Sequence, residues 1–118
     1  NSHQKHHRGF ELIDQYMARD FPIPTNAEDY AYVSQLVQTK GMRMGIEAHR
    51  RAKPYNMGTL YWQLNDCWPA ISWSSIDYFG QWKALHHAAK EAFENLLISF
   101  EQADGMLQVY VVNDHLLS

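Results

Sequence analysis

Between two helical patterns the chain carries Gly58-Thr59-Leu60-Tyr61-Trp62-Gln63-Leu64, a short and nearly unbroken run of apolar, aromatic and β-branched residues. A strand with one wet face alternates apolar and polar side chains, so an unbroken run predicts a strand buried on both faces, as in parallel sheets and barrels. Such a strand needs neighbours on both edges and helices over its faces.

The flanking sequence supplies the helices. Phe10, Ile13 and Met17 recur at spacings of three and four, and the pattern stops before Phe21-Pro22-Ile23-Pro24, a stiff connector. Thr25 or Asn26 can then cap a long helix whose first turn holds Glu28 and Asp29. Tyr30, Val33, Val37, Met44 and Ala48 line one stripe, and His49-Arg50-Arg51-Ala52-Lys53 suits the carbonyl end before Pro54. Gly41 and Gly45, four apart, are expected to allow close packing against a neighbour. After an irregular segment, Asn65 to Gly80, Trp82, Leu85, Ala89, Ala92 and Phe93 form a further helical face. The order helix, strand, long loop, helix belongs to a β/α architecture.

The last quarter changes period. Leu96, Ile98 and Phe100 alternate with Leu97, Ser99 and Glu101, Asp104-Gly105 supplies a turn, and Leu107, Val109 and Val111 alternate again. This predicts an antiparallel hairpin that opens an all-β unit which the chain does not complete. The expected division is 1–94 and 95–118.

Composition narrows the function. The 118 residues fit one domain, and a net charge of −3 supplies no basic field for nucleic acid or anionic membrane. No apolar run approaches the roughly 20 residues that span a bilayer, and the opening Asn1-to-Gly9 stretch lacks the apolar core of a signal peptide. The chain opens without Met, as expected of a processed or excised piece. A single cysteine, Cys67, excludes an internal disulfide and any multi-cysteine zinc site, and its neighbours predict a buried structural thiol. One cysteine fits several compartments.

Residues 61–75 carry the most chemistry. They place Trp62, Asn65, Asp66, Trp68 and Trp73 at and beyond the C-terminal end of the predicted strand, the end that faces the active site in β/α barrels. Sugars present apolar C–H faces rimmed by hydroxyls. An indole covers the face while Asn and Asp bond the rim, so the composition suits a carbohydrate pocket. Trp62 as core filler, with Asn65-Asp66 as a turn and Trp68 and Trp73 locking the loop, fits the same residues. His3, His6 and His7 could gather imidazoles, but no carboxylate sits at ligand spacing, and no metal or cofactor is expected. His86 and His87 read as a packed or exposed helix pair. Glu11, Glu28, Glu47, Glu91 and Glu94 fall on helical patterns where solvent exposure explains them, so no catalytic acid or nucleophile emerges.

Met57 to Asp66, then Trp68, Ser72-Trp73 and Gly80-Gln81-Trp82-Lys83-Ala84-Leu85-His86, together resemble the β-mannosidases of glycoside hydrolase family 2. His3-Gln4-Lys5-His6-His7 and the helix ending Glu47-Ala48-His49-Arg50-Arg51 fit in the same order, and the likeness fades after Asn95. The resemblance implies the last helix–strand–helix portion of a (β/α)8 TIM barrel. Residues 26–53 would be its seventh helix, 58–64 its eighth strand and 81–94 its eighth helix, followed by a β-hairpin from a β-sandwich domain. It further implies an exo-acting enzyme that removes terminal non-reducing β-D-mannose with retention, its two catalytic glutamates lying upstream of Asn1. Trp62 would be the sugar platform, with Asn65, Asp66 and Trp68 beside it. A related β-galactosidase or β-glucuronidase, or a non-catalytic carbohydrate-binding module, remains open. An isolated piece is expected to self-associate through apolar faces made for missing neighbours.

Overall fold

A computed structural model describes residues 6–115. Three helices, α1 (Gly9–Met17), α2 (Ala27–Arg51) and α3 (Ala84–Ala92), precede a hairpin of β1 (Leu96–Ala103) and β2 (Met106–Asn113). Helix α1 buries Met17 completely, and the Tyr30 hydroxyl of α2 donates to Asp14 of α1 at 2.6 Å. Burial, reinforced by the Asp14 carboxylate, pushes the Tyr30 phenol well above its ordinary range.

Helix α2 begins as its sequence dictates. Asn26 is extended, and its side-chain oxygen accepts the Asp29 N–H at 2.8 Å. Glu28 and Asp29 sit at the positive end, and His49, Arg50 and Arg51 at the negative end. Its inward stripe shifts along its length. Tyr30, Val33 and Val37 are half-buried, but in the second half Ile46 and Arg50 are buried while Met44 and Ala48 are exposed. The core joins Ile46 to Leu85, Ala89 and Ala92 of α3, with Met42 and Tyr61 packed against them. On α3 it is small residues, Ala89 and Ala92, that are buried in this contact, and the glycines of α2 take no part in it. A Cβ on Gly41 or Gly45 would meet nothing within 4 Å, so neither glycine is needed for a close approach.

Lys83 stands at the N-cap of α3, and its side chain makes no capping bond. The Gln35 side chain of α2 supplies it instead, accepting the Ala84 N–H at 3.1 Å. Residues 58–64 form no strand, and Leu60, Trp62 and Leu64 are exposed. A strand exists by its lateral ladder. Among the described residues, lateral backbone support reaches just the last two residues of the run, where Ser75 and Ile76 N–H groups donate to the Gln63 and Leu64 carbonyls at 2.8–3.2 Å.

The hairpin has the expected register, with Ile98 opposite Val111 and Phe100 opposite Val109. Asp104 and Gly105 both take positive φ (52° and 74°), as a two-residue turn matched to strand twist requires. Leu97 and Ser99 are buried on one face, whereas Leu96, Ile98, Phe100, Val109 and Val111 are exposed on the other. Arg50 ties helices to hairpin. It is only 6% exposed and donates to the Ala92 and Glu94 carbonyls at 2.6 and 2.7 Å and to Asp114 at 2.9 Å. Lys53 also donates to Asp114, and these two cations hold its carboxyl below the usual range against a smaller upward push from burial.

Candidate functional site

The site is a loop that leaves the extended run at Trp62 and returns at Ser75. Its base is fixed by backbone bonds: Asn65 bridges Ile76 in parallel, and Ile76 bridges Trp82 in antiparallel sense. The Asp77–Gly80 turn brings the chain round. There the Asp77 carboxylate accepts the Phe79 and Gln81 N–H groups at 2.9 and 2.8 Å, and Gly80 takes φ 82°. Ser75 is buried, with its hydroxyl 3.0 Å from the Leu64 carbonyl, the Tyr61 hydroxyl and His86 Nδ1. His86 lies against the Trp82 ring at 4.3 Å, and His87 at 5.1 Å.

Asp66 turns inward and organises the loop. Its side chain is 8% exposed, with Oδ1 accepting Gln63 Nε2 at 3.1 Å and Oδ2 accepting Ser72 Oγ at 2.6 Å and Ser74 Oγ. Lys83 Nζ donates to Ser74 Oγ at 2.7 Å and lies 3.8 Å from the same carboxylate oxygen. Each hydroxyl has one proton, and a single assignment satisfies every group. Lys83 donates to Ser74, Ser74 donates to Asp66, the Ser74 N–H donates to Ser72 Oγ at 3.1 Å, and Ser72 donates to Asp66. Burial pushes the Asp66 carboxyl up, but the Ser72 and Ser74 bonds, the Lys83 charge and Gln63 outweigh it and hold it below its ordinary range. Desolvation dominates at Lys83 and lowers its ammonium despite Asp66 and Asp77.

With Asp66 turned in, its neighbours turn out. Trp62 is 73% exposed, and Trp68 and Trp73 are about half exposed. Asn65 is exposed, and its side-chain amide has no hydrogen bond among the described residues. Cys67 is exposed rather than buried, carried outward beside the inward Asp66. The four candidate residues thus separate. Trp62, Asn65 and Trp68 offer two indoles and a free amide to solvent, whereas both Asp66 oxygens are taken by internal donors. Indole faces with an amide suit a ligand having an apolar face and hydroxyls. Sequence reasoning assigned no role to Gln63, Ser72, Ser74 or Lys83. A lysine where a helix N-cap belongs was the available signal.

No group of three metal-ligating side chains occurs among the described residues; His3 lies outside them, and the His6 and His7 rings stack at 4.6 Å. No helix of the described residues is long and apolar enough to cross a membrane. Glu47 is engaged by Arg43 at 2.7 Å, and Glu11 by Arg8 at 2.8 Å.

No family model matches the chain. It is 38% identical to the β-mannosidase of Capra hircus over 88% of its length, and 40% identical to the β-D-mannosidase of Dictyoglomus thermophilum, on whose crystal structure 95% of it superposes with a TM-score of 0.92. An exo-β-D-glucosaminidase, 24% identical over 84% of the chain with a TM-score of 0.72, shares the fold. The chain spans 13% of the length of the goat protein, 14% of the Dictyoglomus chain and 12% of the glucosaminidase.

Proposed function

This chain belongs to the β-mannosidase family, matching one segment of it over most of its length, and we propose that it works as part of an exo-acting glycoside hydrolase that removes terminal β-D-mannose from non-reducing ends. The observation that carries this reading is the superposition at 40% identity on a β-D-mannosidase. An anchored loop that presents Trp62 and Trp68 to solvent agrees with it. In this reading residues 1–94 are the closing portion of a (β/α)8 barrel, residues 58–64 become its last strand once neighbours flank them, and residues 95–118 begin a β-sandwich.

The segment's part is to bind. Trp62 covers the apolar face of the mannosyl ring, Asn65 reaches the hydroxyl rim, Trp68 closes one side, and Asp66 holds the loop from beneath. Hydrolysis with retention needs two carboxylates about 5–5.5 Å apart. The buried carboxylate of this loop is already spent on internal donors, which supports a catalytic pair supplied by other residues of the enzyme. Isolated, the segment is expected to associate through its uncovered apolar faces.

The test is turnover of a chromogenic β-mannoside by residues 1–118 alone and by the full-length protein, beside the β-galactoside and β-glucuronide. Turnover of the mannoside by the longer protein alone is expected. Activity of residues 1–118 alone would overturn the assignment of the catalytic pair, and preference for another sugar would move the protein to a sister specificity.

A further inference from the structure

Lys83 occupies a costly position. Its side chain is 15% exposed and stands at the positive end of α3, where a cation is unfavourable and where that side chain caps no N–H. The helix needs no help from it, since Gln35 binds the first free N–H. Stability of α3 therefore gives no reason for a lysine here. The ammonium instead points into the loop, 2.7 Å from Ser74 Oγ and 3.8 Å from Asp66 Oδ2. Ser72, Ser74 and Gln63 converge on the same carboxylate, which pins the chain on both sides of the segment carrying Trp68.

We propose that Lys83 is a positioning residue: through Ser74 and Asp66 it fixes the loop from Trp62 to Ser75, and so sets the pose of the Trp62–Trp68 sugar wall. The inference rests on the β-mannosidase reading for its substrate, but not for its geometry. Removing the ammonium takes a donor from Ser74 and the nearby positive charge from a buried carboxylate, and the loop gains alternative arrangements. Ground-state binding of the sugar then weakens, while the bond-breaking groups, which the functional reading places outside this segment, keep their rate.

The experiment uses the full-length protein as wild type, Lys83→Met, Lys83→Arg and Ser74→Ala. It reads KM and kcat for an aryl β-mannoside, melting temperature, and amide hydrogen exchange of residues 66–74. Lys83→Met is expected to raise KM about tenfold, the scale of one lost charge-assisted hydrogen bond, with kcat within about twofold. Exchange in 66–74 should rise, and Lys83→Arg should recover most of the KM. Ser74→Ala breaks the same link without touching a charge and should move KM and exchange in the same direction. A lower melting temperature with unchanged KM in both Lys83→Met and Ser74→Ala would reduce Lys83 to a structural part and overturn the proposal, as would unchanged exchange in 66–74. A wild-type protein inert on β-mannosides would refute the functional reading, and the exchange measurement would then decide the positioning claim alone.

Discussion

At the residue scale, two side chains of opposite character lead to opposite expectations. Trp62 is exposed and touches little, so Trp62→Ala should leave the melting temperature nearly unchanged. In the full-length protein the same change should lower kcat/KM for a β-mannoside about 10–100-fold, since covering one aromatic side chain is worth roughly 1.5–3 kcal/mol. Arg50 is buried on two carbonyls and a carboxylate. Arg50→Met should cost about 3 kcal/mol in denaturant unfolding, because buried acceptors lose charged donors. Asp66 adds a pH dependence. Its folded pKa lies below the ordinary 3.8, so the stability it contributes is present above that value and is lost as pH falls from about 4 through the folded pKa. Near-ultraviolet dichroism of the tryptophans should follow that loss in the wild type, and Asp66→Asn should flatten the curve.

At the scale of elements, what was legible is what the chain decides locally. Helix α2 follows from Asn26, its acidic first turn and its basic last turn, and the hairpin from alternation around Asp104-Gly105. The run at 58–64 reads as a strand by its residues yet is not one, since a strand needs partners that no local pattern supplies. The inward turn of Asp66 was illegible for a related reason. Ser72 and Ser74 are near in sequence, but Lys83 arrives through the Asp77–Gly80 turn, and its approach is a tertiary fact. Trp62, Asn65 and Trp68 were legible as aromatic and polar residues clustered in one loop, though exposure could not be read from type. The two glycines of α2 allow a direct check. With open space over each, Gly41→Ala and Gly45→Ala should each stabilise the isolated chain by about 1 kcal/mol, measured by urea unfolding.

At the scale of the whole molecule, the fold is broad and open. Its radius of gyration is 16.4 Å, against about 13–14 Å for a compact chain of this length. That openness leaves apolar faces uncovered, above all the outer face of the hairpin with Ile98, Phe100, Val109 and Val111. A dilution series by light scattering should find the isolated chain associated, and Val111→Lys should shift it toward monomer. Cooperation between distant elements has a kinetic side as well. Helix α3 has nine residues, too few to persist alone, and its first free N–H is satisfied from Gln35, far back along the chain. It should therefore be absent from the earliest folding ensemble and appear only once α2 has been built and docked. Folding rates of Gln35→Ala and Leu85→Ala variants would reveal that order, with φ-values at α3 no higher than those at its contact with α2.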